Sequence, residues 1–292
     1  MELLQPGILL QFTVGGLLAG ALYALLASGL NLVFGVMRVI NLGHGELMLM
    51  GAFLTYLLYI WFDIHPLLSL PLVMIVMFVF GYFLHRILIE RIVGKDELTS
   101  LLVTYGLSII LMNIGLLIFS ADFKAVPALQ GSIILDELII PKSRGVAGIV
   151  AIVLTLGVYL FLDRSRLGKA IRAVAEHAEV AMICGINVVR IRMITFGLAA
   201  SMAAAAGVML TTIYSFSPET GADFILKCFA IIIIGGMGSF MGAMVGGLLL
   251  GLAEAFVGGF INTQWAEAVA YLLLVAVLVI RPTGLMGKAD AV

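Results

Sequence analysis

Charged residues are scarce in this 292-residue chain: Asp, Glu, Lys and Arg make up 11% of it, against about 25% in an ordinary soluble domain. Hydrophobic residues make up 63%, and the mean hydropathy is +1.20. The apolar runs are about 20 residues long, as a membrane-crossing helix requires, and do not alternate as the strands of a membrane barrel do. The sequence therefore predicts an all-α protein, a polytopic transmembrane helical bundle with one domain over residues 1–292.

Several chemical signatures are also missing. The two cysteines, Cys184 and Cys228, are too far apart for a CxxC site. The sequence has no phosphate-binding G-x-x-x-x-G-K-[ST] and no G-x-S-x-G or H-E-x-x-H motif. A net charge of −1 gives no indication of a nucleic-acid partner. We therefore expect no enzyme, no catalytic residues, no metal site and no cofactor bound by this chain, so that any ATP must be bound by another chain.

The apolar runs predict spans at about 8–34, 47–62, 67–84, 98–120, 145–162, 193–214 and 265–280, with a longer, broken stretch over 224–260. The first apolar run is long, lacks a basic flank and leads into further spans, so no cleavable signal peptide is expected. Whether the segment before Gly235 crosses the membrane decides between eight and nine crossings. Membrane lipid is the expected surroundings of the whole bundle.

The longest water-compatible stretch is 163–192, which holds six of the sixteen Lys and Arg residues. Apolar residues recur there at the spacing of one helix face: Ile171, Val174, Ala178 and Met182. Charged residues fall on the other face: Lys169, Arg172, Glu176 and Glu179. Gly185 supplies a helix stop. This pattern fits either a helix lying on the membrane surface or a docking element for a soluble partner.

Basic residues in short loops favour the cytoplasmic side. Placing 163–192 in the cytoplasm puts four more basic residues there: Arg38, Arg86, Arg91 and Lys95. Nine crossings add Arg281 and Lys288 and leave four outside: Lys124, Lys142, Arg144 and Lys227. Nine is therefore preferred, with the C-terminus inside.

Two apolar stretches are interrupted. The first break contains Asn41, Gly43, His44, Gly45 and Glu46, and the second contains Gly235, Gly236, Gly238 and Ser239. Irregular backbone at membrane depth persists only inside protein or beside a wet cavity, so both breaks are candidates to line a pathway. The alternatives are an ordinary cytoplasmic turn for the first and close helix packing for the second.

The ionisable residue Glu254 falls within a span, where such a group usually marks function, although a paired structural carboxylate is the alternative. The first and sixth spans are both rich in small residues and cross in opposite senses, and each leads to a broken stretch. That arrangement is typical of inverted repeats in transporters, or it reflects coincidental Gly and Ala packing.

Three stretches and the ending RPTGLMG resemble the H-type permease subunit of branched-chain amino-acid ABC importers: residues 29–56, 166–208 and 229–255. The likeness covers nearly the whole chain in order. Residues Glu179, Val180, Ala181 and Gly185 take the places of the E-A-A-x-x-x-G coupling segment, with Val180 replacing an Ala and no later proline. The resemblance implies contacts with an ATPase at Arg172, Glu176, Ala178, Glu179, Ala181, Met182 and Gly185.

The resemblance also implies partners: a second, M-type permease, two cytoplasmic ATPases that use ATP and Mg, and an extracytoplasmic substrate-binding protein. The implied location is the bacterial inner membrane, and the implied role is import of branched-chain or related amino acids by alternating access. Backbone amides beside Gly43, Gly45, Gly236 and Gly238 would then meet the cargo carboxylate at a helix N-terminus.

Two alternatives to this function stay open. One is a stand-alone ion-coupled transporter or channel that uses Glu254 or Glu46. The other is an importer of the same type that carries urea, amides or other small solutes.

Overall fold

The computed structural model describes residues 6–135, 138–281 and 283–287. These residues form eleven α-helices and one β-hairpin: α1 (Pro6–Met37), α2 (His44–Phe62), α3 (Pro66–Ile87), α4 (Glu97–Phe119), β1 (Ser132–Leu135), β2 (Leu138–Pro141), α5 (Lys142–Arg164), α6 (Arg166–Glu176), α7 (Ala178–Ile183), α8 (Val188–Ile213), α9 (Thr220–Gly235), α10 (Phe240–Phe260) and α11 (Thr263–Ile280). The prediction of a helical transmembrane bundle is confirmed.

Polar side chains fix several helix starts, because the first amides of a helix lack partners within the helix. Ser165, Asn187 and Ser239 accept hydrogen bonds from the first turns of α6, α8 and α10. Asp96 does so for α4, accepting bonds from the amide and the hydroxyl of Thr99 at 3.1 and 2.7 Å. These bonds lower the pKa of Asp96, since they stabilise its charged form.

The hairpin is an addition to the all-α expectation. It lies in the 121–144 connection, which the sequence pattern treats as a loop. The strands β1 and β2 are antiparallel, with Ser132 opposite Pro141 and Leu135 opposite Leu138. The side-chain amide of Gln11 in α1 donates to the Ile139 carbonyl and accepts from the Ile139 backbone amide, so the hairpin is attached to the start of the first helix.

Eight of the described helices are long and apolar enough to cross a membrane: α1, α2, α3, α4, α5, α8, α10 and α11. The ninth candidate, α9, has 16 residues and is about 24 Å long, short of a hydrocarbon core of about 30 Å. The amides of Leu285 and Met286 bond the carbonyls of Ile234 and Gly235 at the end of α9. That end lies near the α5–α6 junction, because one cavity is lined by both Gly238 and Asp163.

These contacts bring residues 283–287 to the side of the molecule that holds the 163–192 stretch. The end of α11 therefore lies on the side that the preferred nine-crossing arrangement requires, and α9 counts as a short crossing. Arg281 lies on this side, whereas Lys288 is outside the described residues.

The core is built on two long helices, α1 and α8, which are buried over most of their length. Small residues let neighbouring backbones approach where hydrophobicity no longer drives helix association. Helix α1 packs antiparallel to α10, with Gly16 against Ala255 and Gly20 against Gly247. Helix α8 packs antiparallel to α3 in the same way, and there Ala200 lies against Gly81.

This packing supports the inverted-repeat interpretation. Helices α1–α4 correspond to α8–α11, since α1 uses α10 as its main neighbour and α8 uses α3. The two helices α1 and α8 run in opposite senses relative to the 163–192 stretch. In each half the long helix is followed by a six-residue non-helical segment and then by a helix that begins inside the bundle, namely α2 or α9.

Candidate functional site

The 163–192 stretch forms two short helices and not the single amphipathic helix that its spacing predicts. Helix α6 ends at Glu176, and α7 begins at Ala178. His177 between them has extended backbone (φ −149°, ψ 94°). This break rotates α7 relative to α6, so residues seven and eleven positions after Ile171 do not share its face.

Burial confirms this correction. Ile171 and Val174 are 1% and 2% exposed and pack into the core of this chain, so they are not available to a groove on a partner. Ala178 is half-buried, and Met182 is 61% exposed. The buried residue of α7 is Ala181.

The exposed apolar residues of α7 form a surface of their own: Val180, Met182 and Ile183, which are 56%, 61% and 85% exposed. We call these three residues the α7 patch. Nothing within the described residues covers it. Gly185 ends α7 with φ +82°, a conformation that favours glycine.

The charged residues of this stretch have two kinds of role. Arg172 is committed within the chain, because its guanidinium bonds Asp163 Oδ1 at 2.7 Å and the Asp163 carbonyl at 3.0 Å. It therefore fixes α6 to the end of α5, and the ATPase contact that the resemblance implies for it stays a prediction. Glu176 and Glu179 are exposed on the same side of the molecule.

The first break, residues 38–43, is not a cytoplasmic turn. Asn41, Gly43 and His44 are buried, and Asn41 and His44 are fully so. The segment returns from the end of α1 into the bundle, where Thr104 of α4 donates to the Ile40 carbonyl at 2.8 Å and accepts from the Leu42 amide at 3.2 Å. His44 Nε2 lies 3.0 Å from the Leu26 carbonyl in the middle of α1. Helix α2 thus begins well inside the protein.

The starts of α2 and α9 meet in the interior. A Cβ atom on Gly45 would overlap the carbonyl of Gly221. One on Gly221 would lie 2.8 Å from Glu46 Oε2. Glu46 itself is 4% exposed, and Ser108 of α4 donates to its Oε1 at 3.3 Å. Two helix N-termini, each with partial positive charge, therefore flank one buried carboxyl group.

The second segment that enters the bundle is 214–219, which the sequence pattern treats as a simple turn. Phe216 is 0% exposed and Ser217 is 7% exposed, and Phe216 exchanges both backbone hydrogen bonds with Lys124 at 2.8 and 2.9 Å. A signal was present: SFSPETG places small and polar residues directly after a buried helix, as NLGHG does. The counterpart of the first break is therefore 214–219 and not the GGMGS sequence.

The GGMGS sequence forms the connection between α9 and α10. Gly235 packs against Gly242 so closely that a Cβ would overlap its carbonyl. Asn31 of α1 holds the turn: it accepts from the Gly238 amide at 2.6 Å and donates to the Ser239 carbonyl at 2.7 Å. Gly236 and Gly238 have φ of +104° and +82°. Close packing, the alternative considered for this stretch, describes what these residues do.

Three of the four glycines named for this site use their own amides within the chain, and recognition of a carboxylate by the amides beside them stays a prediction. The amide of Gly43 donates to Asn41 Oδ1 at 3.1 Å. The amides of Gly236 and Gly238 donate to the Ile232 carbonyl at 2.9 Å and to Asn31. An amide that already has a partner inside the chain is not available to a ligand.

Glu254 is paired. Its carboxylate lies 3.0 Å from Lys227 Nζ and accepts from the Tyr23 hydroxyl at 2.8 Å. Lys227 also stands over the Tyr23 ring, 5.2 Å from its centre. The sequence expectation of Lys227 as an outside residue is corrected, because it lies in the middle of α9. This cluster joins α1, α9 and α10 and neutralises Glu254 within the chain.

Beside Glu46 is a cavity of about 350 Å³ between α2, α3 and α4. Its walls are aliphatic and aromatic, and among the described residues Glu46 is the only ionisable one that lines it. Phe53 stacks on Phe119 with ring centres 4.1 Å apart, which closes one side. The cavity runs from Glu46, in the first turn of α2, towards Leu57 and Phe119 at the ends of α2 and α4.

Comparison with known proteins agrees with this architecture. The family model described as "Branched-chain amino acid transport system / permease component" matches residues 12–278. The high-affinity branched-chain amino acid transport system permease protein BraD of Pseudomonas aeruginosa is 36% identical, over 96% of each chain. LivH of Escherichia coli (strain K12), described in the same words, is 32% identical over 96% of each chain. A probable LivH of Methanocaldococcus jannaschii is 27% identical over 94% of this chain. No solved structure gives a significant match.

Proposed function

This chain belongs to the family of permease components of branched-chain amino acid transport systems, and we propose that it is the membrane-spanning subunit of an ATP-driven importer. Its cargo in this proposal is a branched-chain amino acid. The partners are a second permease, two ATPases that bind ATP and Mg on the cytoplasmic side, and an extracytoplasmic binding protein. The membrane is the bacterial inner membrane, and transport proceeds by alternating access.

The observation that carries the proposal is the uncovered α7 patch. Val180, Met182 and Ile183 are apolar and exposed on a short helix flanked by exposed Glu176 and Glu179. Exposed apolar groups rimmed by charge typically mark a protein–protein contact. The positive-inside rule puts this element in the cytoplasm, where an ATPase subunit would reach it.

A mechanical connection runs from this element to the middle of the protein. Helix α6 is held to α5 by the Arg172–Asp163 ion pair. Helix α6 also packs against α1, and Asn31 of α1 bonds the α9–α10 turn at Gly238 and Ser239. Movement of α6 would be transmitted to the Asn31-bound turn and thus to α9, the short helix whose other end adjoins Glu46.

The test is transport in proteoliposomes that contain the permease pair, with and without the two ATPases. We expect uptake of labelled leucine only when ATPases, ATP and binding protein are all present. Uptake by the permeases alone under a proton or sodium gradient would contradict the proposal and favour an ion-coupled carrier.

A paired substitution tests the docking surface. Ile183→Asp should abolish co-purification of the ATPases and reduce uptake at least tenfold, because it buries a charge in the contact. Leu98→Asp is the matched control: Leu98 is 71% exposed at the start of α4, on the same side of the membrane but on another helix. If both variants retain ATPase binding, the α7 patch is not the docking surface.

A further inference from the structure

We propose that the cavity between α2, α3 and α4 is a cargo-binding site in which Glu46 receives a primary ammonium group. The apolar walls would receive the aliphatic side chain of the same molecule. This inference rests on the proposed function and adds the place and the chemistry of recognition within the membrane.

The first argument is the state of the Glu46 carboxyl group. Its residue is 4% exposed, and the hydrogen bond from Ser108 is long, at 3.3 Å. Among the described residues, no Lys, Arg or His nitrogen lies within 4 Å of its oxygens. A buried carboxyl group normally has a cation or several donors. Glu46 therefore has one side-chain donor and two helix N-termini around it but no cation among the described residues, and it lines a cavity.

The second argument is the contrast with Glu254. The Glu254 side chain is 12% exposed, and its carboxylate has Lys227 Nζ at 3.0 Å and the Tyr23 hydroxyl at 2.8 Å. The chain thus satisfies one interior carboxylate from its own side chains and leaves the other facing open space. A ligand with a cationic donor would supply to Glu46 what Lys227 supplies to Glu254.

The third argument is the shape and lining of the space. At about 350 Å³, the cavity lies within the range of small-molecule sites, which are mostly apolar with a few placed polar groups. Leu49, Leu54, Met77 and Leu111 provide aliphatic walls, and Phe80 an aromatic one. An ammonium group with a short branched hydrocarbon tail fits both ends of such a site, whereas urea or an amide has no tail for the walls.

The direction of the cavity also suits import. It extends from Glu46 towards the ends of α2 and α4. Under the positive-inside orientation, those ends face the extracytoplasmic side, from which cargo arrives. Glu46 then lies at the deep end, next to the meeting point of α2 and α9.

The experiment measures binding of radiolabelled leucine to the purified permease–ATPase complex in nanodiscs, without binding protein and without ATP. Two analogues compete on the unmodified complex: 3-methylbutylamine, which keeps the ammonium and the tail, and 4-methylpentanoate, which keeps the carboxylate and the tail. We expect the amine to displace leucine and the acid to be at least tenfold weaker. Equal competition by the two, or stronger competition by the acid, would overturn the assignment.

Variants then locate the site. Glu46→Gln should weaken leucine binding at least tenfold, and Leu111→Trp, which fills the cavity, should do the same. Glu97→Gln is the control, because it makes the same chemical change on an exposed residue of α4. Leucine affinity within twofold of the unmodified complex in folded Glu46→Gln would overturn the inference. If Glu46→Gln does not fold, the analogue competition decides alone.

Failure of this inference is distinguishable from failure of the proposed function. ATP-dependent uptake by the unmodified complex tests the importer, whereas the analogue order and the variants test only the cavity. An active importer with normal uptake in Glu46→Gln would keep the first and discard the second.

Discussion

The two helices that begin inside the bundle, α2 and α9, follow similar connections but carry different charged groups. Helix α2 follows segment 38–43, in which Val39, Asn41 and Gly43 are buried, and places the Glu46 carboxyl group beside a cavity. Helix α9 follows segment 214–219, in which residues 216–218 are buried, and its interior charge, Lys227, is bonded to Glu254 and Tyr23. One half of the repeat therefore pairs its interior charges within the chain, and in the other half the Glu46 carboxyl group has no ion-pair partner among the described residues.

This difference indicates that the two halves of the repeat have different roles within the same fold. An inverted repeat supplies two equivalent broken regions, and transporters place their binding sites at such regions. In the second half, the Lys227–Glu254 ion pair joins α9 and α10 to each other and, through Tyr23, to α1. In the first half, the Glu46 carboxyl group faces a cavity.

The largest effect is expected for Lys227→Met. Removing the cation leaves the Glu254 carboxylate in the interior without its ion-pair partner, and breaking a buried pair typically costs about 3–5 kcal/mol. We expect a strongly lowered thermal unfolding temperature of the purified protein in nanodiscs.

The control for Lys227→Met is the double variant Lys227→Met/Glu254→Gln. It removes both charges and should recover most of the lost stability, with leucine binding at Glu46 unchanged. A double variant as unstable as the single one would show that the pair acts through packing alone.

Composition and run length predict the membrane bundle and most helix positions, because a hydrocarbon core demands long apolar segments. The same reasoning cannot distinguish a full span from α9, since both are apolar. It also misplaces Lys227, because counting basic residues on each side of the membrane assumes that they lie in loops. Lys227 instead lies within a helix and pairs with Glu254, which is more than twenty residues away in sequence.

The next effect concerns the contact between the starts of α2 and α9. Gly45→Ala would drive a methyl group into the Gly221 carbonyl, and overpacking of this kind costs about 1–3 kcal/mol. We expect reduced thermal stability together with loss of leucine uptake, because the two helix starts are forced apart beside Glu46.

Gly106→Ala provides the matched control in α4. A Cβ at Gly106 meets nothing within 4 Å, so alanine there should be neutral or slightly stabilising, as in a helix interior. Equal loss of stability in both variants would mean that the contact at Gly45 is not tight.

A smaller effect is expected at the α9–α10 connection. Asn31→Ala removes the bonds to the Gly238 amide and the Ser239 carbonyl, which should cost about 1–2 kcal/mol. Coupling should suffer more than folding: ATP hydrolysis would continue while uptake per ATP falls. Asn113→Ala is the comparison, since the Asn113 side chain donates to the Ile109 carbonyl of its own helix, and it should change neither quantity.

The site illustrates where sequence reasoning stops. Polar residues in or beside apolar runs identified Glu46 and Glu254, and pattern alone favoured Glu254, because it falls within a span whereas Glu46 falls in a break. Their partners, Ser108 on α4 and Lys227 on α9, come from other helices and decide which carboxyl group is open. Likewise, helical periodicity grouped Ile171 with Met182, and only the break at His177 separates the buried residue from the exposed one.

The smallest effect is expected when only the hydrogen-bond donor of Glu46 is removed. Ser108→Ala removes its hydroxyl donor, which is 3.3 Å away, and hydrogen bonds between membrane helices are worth about 0.6 kcal/mol on average. Thermal stability should barely change. Leucine affinity should change by about threefold at most, because an ammonium group bound by Glu46 would replace the lost donor. A loss as large as that of Glu46→Gln would mean instead that Ser108, and not the carboxylate, is the main contact for the cargo.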